Sequence, residues 1–390
     1  MTTTVIHSAT IVDPEGVVPD SWIVMAGNRI RARGTGPSWR AHVSSPADVV
    51  DACGAYLTAG FIDLHCHGGG GSSVTGDLDT VIETHSRHGT TRLIASLVSA
   101  PIPVLCDQLA AIARRAASDP RVLGSHLEGP FLANGYCGAH DPSALVDATD
   151  RDVLALLEAA AGTLLQVTLA PERPGARAAL DAMRAAGVTV AVGHTASNFN
   201  EAQQAFEAGA SILTHAFNGM PVMHHRDPGP LLAAIGSPTC VIEVISDGVH
   251  VHAEMVSFLF RSAPGRVAII TDAMAAAGAG DGTYELGALL VEVRDGIARL
   301  ATGGSIAGST LTMDAALRHT VHLCGVPLPA AIASMTSIPA RAIDRQDLGR
   351  LSPGHLADAV LLTRDLIVSA VWANGERVRM LPEMGVGDAK

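Results

Sequence analysis

The chain has 390 residues, enough for one large domain with an appendage or for two or three smaller ones. Its 26 Lys+Arg against 38 Asp+Glu give a formal net charge of -12, which excludes a whole-protein attraction to nucleic acid or to an anionic membrane. The only lysine is Lys390, so chemistry that needs an internal lysine is excluded, whereas 17 histidines supply imidazole freely.

From Thr4 to about Thr58, short β-like runs alternate with turn residues, as in TVIHSATIV, DPEG and SWIVMAGNRIRARG. The stretch from about Asp347 reads the same way and carries a hairpin signal at Asn374 and Gly375. Each end alone would leave an apolar face exposed, so the two are expected to join. The expected domains are therefore a small β-sandwich from 1–58 plus 347–390, and a single insertion, 59–346, between them.

Within that insertion, eight apolar runs read as strands: 60–68, 90–98, 122–129, 164–172, 189–196, 211–219, 240–250 and 267–275. Stretches such as LDTVIETHSRHG, VLCDQLAAIARRAAS and NEAQQAFEAG have amphipathic helical spacing. Eight βα units over this length predict a (β/α)8 TIM-type barrel rather than an open doubly wound sheet. The six cysteines form no CxxC pair, which argues against a disulfide framework or a zinc knot and suits a reducing compartment. The N-terminal MTTTVIHSATIV lacks the basic and apolar regions of an export signal, and no apolar run reaches the roughly 20 residues of a membrane span. A cytoplasmic location is expected.

The polar residues that interrupt the apolar strands fall at their ends: His65 and His67 on the first, Glu128 on the third, His194 on the fifth, His215 on the sixth, Asp247 and His250 on the seventh, Asp272 on the eighth. In a barrel those positions converge on one mouth, where barrel active sites lie. His65 and His67 are two apart and share one face of a strand, with Cys66 turned away. Imidazole and carboxylate suit zinc or iron(II), and a catalytic ion with an open position lowers the pKa of its water, with hydroxide on the metal as the product. Asp272 can then take the water's proton, or it can cap the next helix. Barrel hydrolases with a first-strand HxH often bridge two metals through a carboxylated lysine. That residue is absent, which leaves Glu128, in SHLEGPFL, to bridge or ligate. The run Gly68 to Gly71 lacks the GxGxxG and GK[ST] patterns and reads as close backbone approach.

Taken together, GFIDLHCHGGGG, HLEGPFL, GHTAS, THAFNGMP, ISDGVHV and TDAM resemble the amidohydrolase superfamily and, within it, the deacetylases of N-acetylglucosamine 6-phosphate. The resemblance spans nearly the whole chain. It implies Glu128, His194 and His215 as ligands of one metal. Since His65 and His67 are both present, it also implies a second metal bridged by Glu128. The cofactor would be one or two divalent ions per subunit, zinc first, with iron, manganese or cobalt as alternatives. Asp272 takes the acid/base role and joins the ligands, and His140 polarises the acetyl carbonyl. Asn218, Gly219 and His250 match sugar-phosphate contacts. Arg226, in HHRDPG, matches a phosphate-binding arginine that reaches across a homodimer, although an ion pair with Asp227 is the alternative. The partner is then a small amino-sugar phosphate. Cys137, in the loop LANGYCGAHDP, is either a structural thiol or a redox-sensitive lid residue. The galacto epimer is a second candidate substrate. Nucleobase aminohydrolases fit less well, because SHLEG offers HxE rather than HxxE.

Overall fold

The computed structural model describes residues 3–43 and 47–380. Lys390 and the segments 1–2, 44–46 and 381–390 of the expected terminal domain lie outside the described residues. Two compact units emerge: Met1–Ile62 with His85–Arg92 and Met313–Lys390, and Asp63–Thr84 with Leu93–Thr312.

The two chain ends do share one sheet. The first strand, Thr3–Asp13, pairs antiparallel with Gly16–Ala26, which pairs with Arg29–Thr35. Ala47–Asp51 and Tyr56–Ala59 run parallel to the first strand, and Ala359–Leu362 lies antiparallel to Tyr56–Ala59 with Leu361 opposite Leu57. Val368–Ala373 and Glu376–Met380 complete the sheet through a turn in which Asn374 and Gly375 both have positive φ, 55° and 81°. That is the backbone a tight hairpin requires. Ile6, Ile11, Ile23, Leu57, Leu361 and Trp372 form one core, to which both chain ends contribute.

The barrel strands are Phe61–Cys66, Thr90–Leu97, Val122–Glu128, Leu164–Leu169, Thr189–Val192, Ile212–Leu213, Val241–Ile245 and Val267–Ile270, each bonded to the next. Cys66 bridges Ala273 in parallel register and brings the first strand against the eighth. Helices expected from their apolar spacing occur at Leu78–Arg87, Ile102–Ser118 and Phe199–Glu207. The last begins with a capping box, Asn198 accepting from the Glu201 amide while Glu201 accepts from that of Asn198.

Two features depart from the sequence reading. Several strands stop short of their apolar runs, so His194, His215 and Asp272 lie beyond the strands, with φ of 46°, 27° and 49°. Left-handed backbone is uncommon outside glycine, and here it turns each side chain out of the pleat and over the mouth. An antiparallel meander, Gly282–Leu286, Leu289–Arg294 and Ile297–Leu300, follows the eighth strand. It packs Leu286, Val291, Val293 and Ala298 against Met274 and Ala276. The glycine run forms a small hairpin, Gly68–Gly69 against Ser72–Ser73. A Cβ on Gly68 would meet the Ser72 carbonyl oxygen at 2.5 Å and the Ala275 nitrogen at 2.8 Å, which is the close approach expected.

Candidate active site

Glu128, at the end of the third strand, is the hub of the mouth. Its Oε1 lies 3.0 Å from Nε2 of both His194 and His215, which are themselves 2.9 Å apart. Its Oε2 lies 3.4 Å from His65 Nε2 and 3.1 Å from His67 Nε2, and Asp272 Oδ1 stands 3.4 Å and 3.3 Å from the same two nitrogens. Two groups with ligand geometry result, His65–His67–Glu128–Asp272 and Glu128–His194–His215, joined at Glu128. Five of these side chains are buried, and that of Asp272 is 13% exposed.

The hydrogen bonds show what the cluster is for. His67 Nδ1 lies 3.0 Å from the Ser96 carbonyl, and His194 Nδ1 lies 2.8 Å from that of Tyr136. A carbonyl only accepts, so each Nδ1 carries the proton and each neutral ring turns a bare Nε2 lone pair towards the carboxylate. Lone pairs aimed at an anion repel unless a cation lies among them. This outer-shell support is how metal-ligating histidines are held, so the donor set fits one or two divalent ions.

The electrostatics agree. Burial alone would keep His65 and His67 neutral, but Glu128 and Asp272 outweigh it and raise both above the ordinary value. His194 is raised likewise, chiefly by Glu128. Burial would in turn raise Glu128 and Asp272, yet the surrounding imidazoles hold both carboxyls below theirs. The site attracts positive charge, whether as protons or as metal.

His140 behaves differently. Its Nδ1 accepts the Ser99 amide at 3.1 Å, so its proton sits on Nε2, 3.3 Å from Glu128 Oε2. Burial pushes it down to about 4, against the opposing pull of Glu128. It is therefore a neutral donor fixed in one tautomer.

A cleft of about 170 Å³ opens on the cluster, lined by His140, Asp272, Asn218, Gly219 and His250, with Leu286 from the meander. His250 Nδ1 is held by Asp247 Oδ2 at 2.7 Å, and Asp247 Oδ1 accepts the Val249 and His250 amides. Gly219 has φ of 59°, and a Cβ there would sit 3.0 Å from His194 Nδ1. Arg226 stands elsewhere, exposed in a loop closed by His224 and Asp227, and it lines no part of this cleft. Its guanidinium makes no ion pair among the described residues. Cys137 is half-buried and lends its carbonyl to the His140 amide, and it belongs to neither ligand group.

Glu243 was not singled out in the sequence. Fully buried on the seventh strand, it accepts Gln166 Nε2 at 2.9 Å and lies 3.6 Å from His65 Nδ1. The signal was present, since Glu243 is the one charged residue within the apolar run VIEVI. His126, bonded to Ser96 and Thr168, extends the same polar interior.

The model of the amidohydrolase family matches residues 56–378. An N-acetylgalactosamine-6-phosphate deacetylase of Escherichia coli O157:H7 is 37% identical over 339 residues, covering 85% of this chain and 90% of that protein. An N-acetylglucosamine-6-phosphate deacetylase of Vibrio furnissii is 33% identical over 340 residues, covering 85% of each. Among solved structures, a mutant N-acetyl-D-glucosamine-6-phosphate deacetylase from Mycobacterium smegmatis, in complex with N-acetyl-D-glucosamine-6-phosphate, superposes with a TM-score of 0.91 at 36% identity, covering 97% of this chain and 100% of that one. With its ligand-ready barrel mouth and these matches, the chain belongs to the amidohydrolase family.

Proposed function

We propose that this enzyme hydrolyses the acetamido group of N-acetyl-D-glucosamine 6-phosphate, giving D-glucosamine 6-phosphate and acetate. The observation that carries the reading is the pairing of two ligand groups joined at Glu128 with a neutral His140 donor on the same cleft. The deacetylases that resemble most of the chain supply the substrate class.

His65, His67, Glu128, His194, His215 and Asp272 would hold one or two divalent ions, with zinc the first choice for such ligands and iron, manganese or cobalt the alternatives. A bound ion supplies Lewis acidity, polarising a carbonyl and lowering the pKa of water. The chain's residues do the rest. Asp272 takes a proton from the attacking water and passes it to the nitrogen as the C–N bond breaks. The Nε2–H of His140 donates to the acetyl oxygen, where negative charge develops. Asn218, Gly219 and His250 position the sugar, so that binding energy far from the reacting amide helps to orient it.

Arg226 acts from a second copy of the chain in this reading. Support comes from its distance from its own cleft and from its apolar neighbour Val222, 87% exposed. Guanidinium suits a phosphate dianion through its bidentate fork. The six free cysteines suit a reducing cytoplasm, and none of the described helices is long and apolar enough to cross a membrane. Cys137 stays a candidate lid residue.

Acetate release from the 6-phosphorylated gluco sugar, its galacto epimer and the unphosphorylated sugar, before and after chelation, tests the proposal. Turnover of the phosphorylated gluco sugar that chelation abolishes is the expected result. Preference for the galacto epimer would establish the second reading, which the Escherichia coli relative favours. Arg226→Ala should raise KM for the phosphorylated sugar and leave the other unchanged; equal effects on both would remove Arg226 from the site.

A further inference from the structure

The second ring nitrogens of the mouth imidazoles differ in what they meet. Those of His67 and His194 donate to carbonyls, and that of His140 accepts an amide. His65 Nδ1 is buried with no hydrogen-bond partner. Opposite it, at 3.6 Å, lies Glu243 Oε2, which is also buried and without a partner. Gln166 occupies only the other oxygen of that carboxylate.

A carboxylate wholly buried inside a barrel carries a desolvation cost of several kcal/mol. Neither arginine nor lysine pairs with Glu243 among the described residues, and filling space would require no charge. What the charge offsets must be positive and close by, and the nearest such place is the far side of His65. His215 Nδ1 is also without a partner.

We propose that Glu243 is the positioning residue of the His65–His67 half of the site: its carboxylate accepts the Nδ1 proton of His65 and keeps the Nε2 lone pair turned to the metal. A small rotation of either side chain closes the gap to the roughly 2.8 Å of a charge-assisted bond. The carboxylate then makes His65 a stronger ligand and offsets part of the charge of a second ion. The inference rests on the metal-dependent reading above and adds to it which residue makes the second position habitable.

Cobalt(II) titration of metal-free protein, followed by visible absorption, tests this with the wild type, Glu243→Leu, the double variant Glu243→Leu/Gln166→Leu and Glu243→Gln. The double variant removes both partners of a buried hydrogen bond, which preserves folding better than removing one. One cobalt equivalent should bind with unchanged affinity throughout, while the other weakens by roughly 10- to 100-fold in both leucine variants. Glu243→Gln should stay within a few-fold of wild type, because its amide and that of Gln166 can both turn and restore an oxygen to His65. In zinc-loaded wild type, the His65 Nδ1 proton should resonate far downfield in nitrogen-edited NMR. Equal cobalt affinities in all four proteins, or an unshifted His65 proton, overturn the role of Glu243. A wild-type chain that binds no cobalt overturns the metal reading beneath it, a distinguishable result.

Discussion

Two buried charge clusters in this molecule obey opposite rules. In the unit that carries the sandwich, Arg92 lays its guanidinium along Asp358, Nε to Oδ2 at 2.6 Å and Nη2 to Oδ1 at 3.0 Å, and the Asn374 amide adds a bond of 2.7 Å. Donors meet acceptors and charge meets charge. At the barrel mouth, the Nε2 lone pairs of His67 and His194 converge on the carboxylate of Glu128. The first cluster is complete as folded and holds structure together. The second has the donor arrangement of a cation site, which makes it the candidate for function. Burial alone would not separate them, since both are out of solvent.

The largest effect expected from this contrast is on turnover. Asp272→Asn keeps the shape and loses the base, so kcat should fall by about 100-fold or more, the usual worth of general acid–base catalysis. Metal content should stay near wild type. Full activity in an acetate-release assay would remove Asp272 from the reaction. The other cluster should answer in stability. Arg92→Met leaves Asp358 buried and unpaired, and chemical denaturation should show a loss of about 3–5 kcal/mol. The double change Arg92→Met/Asp358→Leu should cost less than the single, with metal affinity unmoved by either. A double variant as damaged as the single would show that the pair is more than a matched unit.

How much of this was legible in the sequence depended on periodicity and on backbone sign. The eight barrel strands could be read because apolar runs bounded by turn residues are local signals, and the HxH pair because a strand alternates faces. The positive φ at His194, His215 and Asp272 could not, since nothing in GHTAS or TDAM announces left-handed backbone outside glycine. The carbonyls of Ser96 and Tyr136 that set the imidazole tautomers are also invisible, because every residue has one. Glu243 is readable as the one charged residue of VIEVI, but it lies in mid-strand and so falls outside the strand-end pattern that marks the other site residues. The meander was readable too, as its Asp295–Gly296 turn, with φ of 51° and 73°, is an ordinary hairpin signal. The place of Arg226 was not, because a loop's reach is set by packing rather than by pattern.

Acid sharpens the contrast further. His140 titrates at about 4 in the fold against an ordinary value of 6.5. Between those values the unfolded chain binds the proton and the folded one does not, so the contribution is whole above about 6.5 and is lost as pH falls towards 4. Metal-free protein should lose stability across that window at up to about 1.4 kcal/mol per pH unit for this one group. His140→Gln should flatten the slope; an unchanged slope would mean His140 is protonated in the fold.

The smallest effect tests how finely the mouth is built. Gly219 sits at φ of 59° with its missing Cβ 3.0 Å from His194 Nδ1. Gly219→Ala therefore adds a left-handed L-residue, at about 1–2 kcal/mol, and presses on a ring whose Nδ1 is tied to Tyr136 at 2.8 Å. Rotation of the ring to relieve the contact would turn its Nε2 away from Glu128, so an ion at the proposed Glu128–His194–His215 position should bind several-fold more weakly while the His65–His67 position keeps its affinity. The Arg92–Asp358 cluster would absorb an equal shift with no change in function, because its atoms answer only to one another. At the mouth, a shift of a few tenths of an ångström should register as metal affinity. Cobalt binding at both positions unchanged by Gly219→Ala would show that His194 has more freedom than its hydrogen bond implies.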